Sequence, residues 1–549
     1  MIDDGGMLQL TWAHALTSAV DRYGQKTAFH FAGTDWSSDL SFEQWHESSV
    51  AIAAALAALG VVGGDRVAVL APGSAVWPIM QTAASAIGAI VVPINVRYRR
   101  DELAHILRTC TPKLVVSVSA YNGIDYERLL RDSALECEVD PIFVFMGTLD
   151  IALNATVTPP AARGRRTMNW TQLVTLGSSS PAPATAVCPV DPVLMQFTSG
   201  TTAFPKAALL SSRATLGATW FMAQRMRVTD ADIYFSTQPL YHVGGSVASV
   251  LLPLCTGATV VIPERYSPEL VFSLLPRYRC TVRTGQAAMY AMELAHPDFT
   301  EAAYTTLRAG WGGGTPGLKR AIRDRMGIPV LTSIYGLTET AGTTTITDAL
   351  DPEAVWVETC GRAIPGVEVG VLVEGTVQVA AGIVGEICIR GWSLMIGYFD
   401  DPGATSEVID SAGWFHTGDI GMLDQVGNLR FVDRLKDMIK PGGENVSALE
   451  VERVIAEIPG VAQVAVVGRP DARLGQVPVA FVEMRHGMSF DANAIIAECR
   501  ERMASFKVPH AIYPTTQWPT TESGKILKRD LGADLPEFRP ADGSVGSSG

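Results

Sequence analysis

Thr198-Ser199-Gly200-Thr201-Thr202-Ala203-Phe204-Pro205-Lys206 lies between two hydrophobic runs and decides how the rest of the chain is read. Gly200 lets backbone approach a ligand closely. The hydroxyls of Thr198, Ser199, Thr201 and Thr202, with the loop's N–H groups, can surround phosphate oxygens. Lys206 adds a compact positive charge suited to a polyphosphate. A Walker loop would read G-x-x-x-x-G-K-[ST], which this stretch does not. Taken alone, the loop could also be an ordinary polar turn, the lesser of the two readings.

Upstream, helical and strand patterns alternate. Phe42 to Leu59 carries apolar residues at helical spacing with Gly60 as its stop. Arg66 to Leu70, Ala89 to Val92 and Lys113 to Ser117 read as short buried strands, separated by helices near Ala75 to Ile87 and Asp101 to Arg108. Such alternation implies βαβ units on a mainly parallel sheet. The segment from about Asn154 to Pro192, rich in Pro, Ala, Thr and Ser, reads as a surface excursion. Downstream, Thr259 to Ile262, Pro268 to Arg277 and Ile328 to Leu331 form a second α/β series. Val367 to Val373, Thr376 to Val379 and Glu386 to Arg390 suggest a small β-domain or barrel, and Leu449 to Glu457 with Val461 to Val467 a compact α+β unit.

At 549 residues the chain is long enough for about three or four folding units. A hydrophobic content of 47% with 18% charged residues excludes a disordered protein. Net charge is −13 with no basic block, which argues against nucleic acid as a partner. Eight scattered cysteines without a C-x-x-C pair read as thiols of a reducing compartment, and the acidic N-terminus does not resemble a signal peptide; a cytoplasmic protein is expected. Two uncharged runs, Val67 to Val96 and Val243 to Pro263, are broken by Pro72, Pro78 and Pro93 and by Gly244, Gly245, Pro253 and Gly257. No membrane span is expected there; buried strand–helix–strand segments are.

Further segments occur in order along the chain: Pro239-Leu-Tyr-His242-Val243-Gly244-Gly245, Gly312-Gly313-Gly314-Thr315-Pro316, Tyr335-Gly336-Leu-Thr338-Glu339-Thr340, Trp414-Phe-His-Thr-Gly-Asp419, Asp433-Arg434-Leu-Lys436-Asp437 and Thr521-Glu-Ser-Gly-Lys525. With the hydroxyl-rich loop they resemble the adenylate-forming superfamily of acyl- and aryl-CoA ligases, luciferases and peptide-synthetase adenylation domains. The resemblance extends over roughly Leu10 to Leu531. It implies an α/β fold: a large N-terminal domain (1–435) of two doubly wound α/β subdomains plus a small β-barrel, and a small mobile α+β C-terminal domain (436–540). Residues 541–549 read as a disordered tail.

The resemblance also implies roles. Thr198, Ser199, Gly200, Thr201, Thr202 and Lys206 would bind the phosphates of ATP. Gly313, Gly314 and Thr315 would lie against adenine, as would Tyr335 with Gly336 and Thr338. Glu339 would hold Mg2+, a fitting partner for a carboxylate beside substrate phosphates. Asp419 would bond the ribose hydroxyls and Arg434 the ribose or phosphate. Lys525, Glu339, Thr198 and His242 are the expected catalytic set, Lys436 is the expected hinge, and Gly442 and Gly443 belong to the face presented to CoA. Each motif has a plainer reading: Gly-Asp is often a turn, Glu after Thr a helix start, and His242 a satisfied core histidine. Ala203 and Ala207 stand where the family usually has glycine, a cost of about 1 kcal/mol wherever φ must be positive. Ala448 replaces a proline that many relatives carry.

The implied reaction is attack of a carboxylate on the α-phosphorus of ATP, giving acyl-adenylate and pyrophosphate, then transfer to CoA. Transfer to an amine or carrier-protein thiol, or a luciferase-like oxygenation, uses the same motifs. A nucleotide-binding regulator on this scaffold would be expected to lack Lys525 or Glu339. The acid pocket is expected from His242, Val243, Gly244, Gln286, Trp311, Gly312 and Ala341. Their small side chains would leave room for a medium-chain, alicyclic or aromatic acid, and the absence of an obvious cation disfavours a dicarboxylate. Whether the chain works as a homodimer is not legible.

Overall fold

Residues 5–147, 167–183, 185–198, 205–312, 316–373, 375–378, 381–434, 439–444, 446, 448–485, 487–519, 528 and 531 are described in this computed structural model. They fall into two compact units, one built from Met1–Val96, Ile106–Thr198 and Lys206–Leu435, the other from Lys436 onward with the short segment Arg97–His105.

Two large sheets organise the first unit. An eight-stranded sheet runs in the order Thr167–Asn169, Ile142–Met146, Leu114–Val118, Arg66–Leu70, Ile90–Pro93, Pro192–Thr198, Lys206–Ser211 and Gly397–Tyr398. Its first six strands are mutually parallel, and the last two pairings, on either side of Lys206–Ser211, are antiparallel. The strands Arg66–Leu70, Ile90–Pro93 and Leu114–Val118 are almost wholly buried, which is why they read as unbroken apolar runs rather than alternating ones. The helix Phe42–Ala58 starts with a capping box of Ser41 and Gln44, and Gly60 follows its end at φ 79°.

The second, seven-stranded sheet runs Ser37–Ser41, Thr27–Ala32, Thr259–Pro263, Ile233–Phe235, Val282–Gly285, Ala309–Gly312 and Val330–Thr332. All neighbours are parallel except Thr27–Ala32 with Ser37–Ser41. These are the two α/β subdomains expected. A five-stranded antiparallel sheet, Thr376–Gln378, Val367–Val373, Val384–Gly391, Phe415–Leu423 and Leu429–Arg434, occupies the Val/Gly-rich region, and Asn428 bridges to Arg362 beside it.

Two expectations are corrected. The run from Val67 is strand–helix–strand, but the run from Val243 is two short helices, Val243–Ser246 and Leu252–Thr256, before the strand Thr259–Pro263. Gly244 and Gly245 sit within the first, Pro253 opens the first turn of the second, and Gly257 ends it at φ 73°. Among the described residues no helix is long and apolar enough to cross a membrane. The Pro/Ala/Thr/Ser-rich excursion holds a helix, Trp170–Ser178, with Asn169 and Gln172 as its capping box. A Cβ at Gly177 would stand 1.9 Å from the Ala51 carbonyl oxygen, so this helix packs backbone to backbone on Phe42–Ala58.

In the second unit, Val461–Asp471 and Gly475–Met484 form a hairpin, and Ala511–Pro514 adds in parallel. Helices Ala448–Ala456 and Ala492–Arg502 cover it around Val446, Val451, Ile455, Val466, Ala480 and Cys499. The Lys507 ammonium donates to the Glu450 carboxylate at 2.7 Å in this core. Residues 541–549, including the tail expected to be disordered, lie outside the described residues.

Candidate functional site

Glu339 is set by a tight loop. Ile334–Tyr335 pairs with Thr345–Ile346, and the connection folds back on itself: the Gly342 N–H donates to the Leu337 carbonyl at 2.9 Å, and the Thr340 hydroxyl accepts from the Leu337 N–H at 2.9 Å. A Cβ at Gly336 would meet the Gly342 carbonyl oxygen at 2.4 Å, so only glycine fits. Ala341 takes φ 57° to complete the return. The 3-10 turn Thr338–Thr340 leaves Glu339 8% exposed.

The Glu339 carboxylate accepts from the Tyr398 hydroxyl at 2.9 Å. Tyr398 belongs to the two-residue strand paired with Lys206–Ser211, and the Lys206 ammonium lies 5.0 Å from its ring centroid. Burial, reinforced by the Glu339 charge, pushes the Tyr398 phenol up, so it stays a donor. Glu339, Lys206 and Tyr398 therefore meet. The first two were expected. Tyr398 was missed, because only the pairing of Gly397–Tyr398 with a strand some 190 residues earlier reveals it.

Beside this group the Tyr335 hydroxyl donates to Asp419 Oδ2 at 2.9 Å, with Asp419 2% exposed. Asp419 is the register partner of Arg434, whose backbone ends the strand Leu429–Arg434. The expected adenine residue Tyr335 thus reaches across from its own three-stranded sheet to Asp419, which is paired with Arg434 in the five-stranded one.

Thr198 and Lys206 are register partners at the mouth of the hydroxyl-rich loop. Thr198 Oγ1 is buried with no partner among the described residues, which suits a donor or acceptor awaiting a ligand. With the Lys206 charge and the Glu339 carboxylate nearby in the fold, the set fits a metal-bound triphosphate. Ala207 lies in a regular antiparallel strand opposite Phe197, so the anticipated φ penalty does not arise there. Ser199, Gly200, Thr201, Thr202, Ala203, Gly313, Gly314, Thr315, Lys436 and Lys525 lie outside the described residues. Gly442 and Gly443 form a turn with φ 61° and 87°, where the Gly442 N–H donates to the Leu474 carbonyl at 2.9 Å.

Several of the residues expected at the acid pocket are linked by contacts, Trp311 not among them. His242 precedes the helix Val243–Ser246, with its ring 5.1 Å from that of Tyr241. A Cβ at Gly342 would touch Val243, linking this turn to the Glu339 loop at Ala341. The Gln286 amide donates to Gln238 Oε1 at 3.3 Å, while Gln238 Nε2 and Gln196 Oε1 are buried without partners among the described residues. The glycines do not simply leave space. A Cβ at Gly312 would meet the Tyr290 ring at 2.6 Å and one at Gly244 would meet Gln238 at 3.0 Å. Trp311 is turned into the core, its indole N–H donating to the Tyr234 hydroxyl at 3.0 Å.

Behind this wall lies a cation that the sequence reading passed over. Arg283 donates to both oxygens of Glu293 at 2.7 and 2.9 Å, and both side chains are fully buried. Tyr304 and Tyr266 also donate to Glu293, at 2.8 and 3.3 Å. Paired and sealed, Arg283 offers nothing to a substrate's second carboxylate.

A family profile for AMP-binding enzymes matches residues 16–399, and one for the AMP-binding enzyme C-terminal domain matches residues 450–525. The chain belongs to the AMP-binding, adenylate-forming enzyme family. It is 34% identical to the 3-[(3aS,4S,7aS)-7a-methyl-1,5-dioxo-octahydro-1H-inden-4-yl]propanoyl:CoA ligase of Mycobacterium tuberculosis, over 94% of this chain and 98% of that protein. It is 31% identical to a mitochondrial medium-chain acyl-CoA ligase of Bos taurus, over 91% of this chain and 83% of that one. Among solved structures it resembles the amide bond synthetase McbA of Marinactinospora thermotolerans, with TM-score 0.79, 26% identity, and 96% and 100% of the two chains covered.

Proposed function

We propose that this chain is an AMP-forming acid–CoA ligase whose nucleotide chemistry is organised by Glu339, Lys206, Thr198, Tyr335 and Asp419. The enzyme uses ATP to convert a carboxylic acid to an acyl-adenylate, releasing pyrophosphate, and passes the acyl group to CoA, releasing AMP. The observation that carries the assignment of roles is the meeting of Glu339, Tyr398 and Lys206 next to the Tyr335–Asp419 pair.

A carboxylate oxygen of the acid forms a bond to the α-phosphorus as the bond to the bridging oxygen of pyrophosphate breaks. Negative charge accumulates on phosphate oxygens, and fixed donors and cations lower that barrier. Lys206 and the Thr198 hydroxyl supply two of them. Mg2+ held by Glu339 would neutralise the departing pyrophosphate. Tyr398, kept protonated, orients the Glu339 carboxylate; Tyr335 orients Asp419 for the ribose hydroxyls. Lys525, in its Thr-Glu-Ser-Gly-Lys motif, is assigned to the α-phosphate and carboxylate, and Lys436 to the hinge between the two half-reactions. In the second step the CoA sulfur attacks the acyl carbon, AMP leaves, and the thiol proton passes to solvent.

For the acid, the relatives' bicyclic propanoate and medium-chain substrates support an apolar monocarboxylate, consistent with a wall whose Arg283 is already neutralised. The likeness to an amide bond synthetase keeps an amine acceptor as the second reading. Eight cysteines present as thiols support a reducing, cytoplasmic setting.

The test is pyrophosphate release over a panel of carboxylic acids, with CoA or amines present and products identified by mass. We expect acid-dependent release and a CoA thioester. Release with amide but no thioester would transfer the assignment to the second reading, and no release with any acid would end both.

A further inference from the structure

We infer that Glu386, Cys388 and His416, on one face of the five-stranded sheet, form a binding site for a borderline-soft divalent cation such as Zn2+. Cys388 and His416 are register partners on the antiparallel strands Val384–Gly391 and Phe415–Leu423, and Glu386 stands two residues before Cys388, separated by a register shift. One ligand atom from each of the three lies within 4.8 Å of the others. His416 Nδ1 is 3.6 Å from Cys388 Sγ and 3.2 Å from Glu386 Oε2. Tetrahedral zinc, with bonds of about 2.3 Å to sulfur and about 2.0–2.1 Å to nitrogen and oxygen, has edges of about 3.6 Å between N and S and about 3.3 Å between N and O. The two distances from His416 Nδ1 already match those edges, and the sulfur and the carboxylate lie within 4.8 Å of each other.

The surroundings fix two of the three ligands. Glu386 Oε1 accepts from the Gly418 N–H at 2.8 Å, which turns Oε2 toward His416. Asp410 Oδ1 accepts from the N–H groups of Ala412 and Trp414, each at 2.9 Å. Its Oδ2 stands 3.4 Å from His416 Nε2. A carboxylate on the far nitrogen of a histidine is the outer partner that orients a metal-binding imidazole and raises its basicity. Cys388 is buried, whereas the Glu386 and His416 side chains are 17% and 23% exposed, so a cation can enter from the solvent side and keep a water in its fourth position. A cation here would tie together two strands of the sheet three residues before Asp419.

The experiment uses the full-length, tag-free protein stripped of metal and titrated with Co2+ as a spectroscopic probe, followed by Zn2+ in competition. We expect one equivalent of Co2+ to give a thiolate-to-cobalt charge-transfer band and an intense tetrahedral d–d spectrum, both displaced by Zn2+. Cys388→Ser should abolish the charge-transfer band, and Asp410→Asn should weaken Zn2+ binding by about 10–100-fold. A wild-type protein with no such band, or a band that survives Cys388→Ser, overturns the proposal. His416 would then be a structural histidine held by its hydrogen bonds to Glu386 and Asp410. The wild-type spectrum decides even if a variant fails to fold.

Discussion

Replacing Glu339 by Gln separates its chemistry from its place in the fold. The amide keeps the side-chain volume and the oxygen that accepts from Tyr398 at 2.9 Å, but removes the charge. A hydrogen bond to a charged acceptor contributes about 1.5–3 kcal/mol and one to a neutral acceptor about 0.5–1.5, so the bond weakens by about 1 kcal/mol. Against that, a carboxylate only 8% exposed no longer has to be kept ionised. Folding stability should therefore change by less than about 1 kcal/mol. Adenylation should fall by about 100- to 1000-fold, the loss of roughly 2.7–4 kcal/mol of electrostatic stabilisation. Tyr398→Phe removes only the orienting donor and should cost about 10–100-fold, seen chiefly as a higher Mg2+ requirement. Because the phenol acts through the carboxylate, the double variant should be little worse than Glu339→Gln alone. Pyrophosphate release across a Mg2+ titration, paired with thermal unfolding, reads all three. Near-normal turnover in Glu339→Gln, an unaltered Mg2+ dependence in Tyr398→Phe, or additive losses in the double variant would refute the assignment.

Lys525→Ala should cut pyrophosphate release by on the order of a hundredfold or more; unchanged release would remove that lysine from the first half-reaction. Ala341→Gly should leave stability unchanged or raise it by up to about 1 kcal/mol, since Ala341 occupies φ 57° at a cost of about 1–2 kcal/mol that glycine's extra unfolded-state freedom only partly cancels; a clear fall in Tm would contradict this. Asp232 is buried; burial opposes its ionisation, but hydrogen bonds from Arg308 at 2.8 Å, the Thr229 N–H and the Thr281 hydroxyl hold its carboxyl below the ordinary 3.8. A lowered folded value gives stability that is present above the ordinary range and lost as pH falls through the folded value. The stability gap between the wild type and Asp232→Asn, about 1 kcal/mol near neutrality, should close in acid; a gap that widens in acid would reverse the sign.

Local patterns were legible. Arg66 to Leu70, Pro268 to Arg277 and Val367 to Val373 were read with the limits they have, because burial on both sheet faces, a Ser-Pro start and β-branched alternation are written within a few residues. Pairings across long stretches of chain were not. Thr27–Ala32 joins Thr259–Pro263 in the second sheet, although it precedes the whole of the first, and nothing near Thr27 specifies that partner. At the site, Glu339, Asp419 and Lys206 were marked by motif, whereas Tyr398, Gln196 and the Arg283–Glu293 pair matter through neighbours that only folding supplies. The supposed roominess of Gly244 and Gly312 failed for the same reason: the vacant Cβ positions are filled by Gln238 and Tyr290.

The fully buried Arg283–Glu293 pair constrains how this ligase can be re-engineered. Tyr290 covers it, with the guanidinium 4.5 Å from its ring centroid and its hydroxyl donating to the Trp311 carbonyl at 3.1 Å. Truncating that ring to admit a bulkier acid would bring water or substrate against two charges whose balance depends on exclusion, and losing one partner alone costs about 3–5 kcal/mol. Variation of chain length or ring size in the acid is therefore channelled toward the Val243–Gly342 side, where the atoms nearest a Cβ at Gly342 belong to the Val243 side chain.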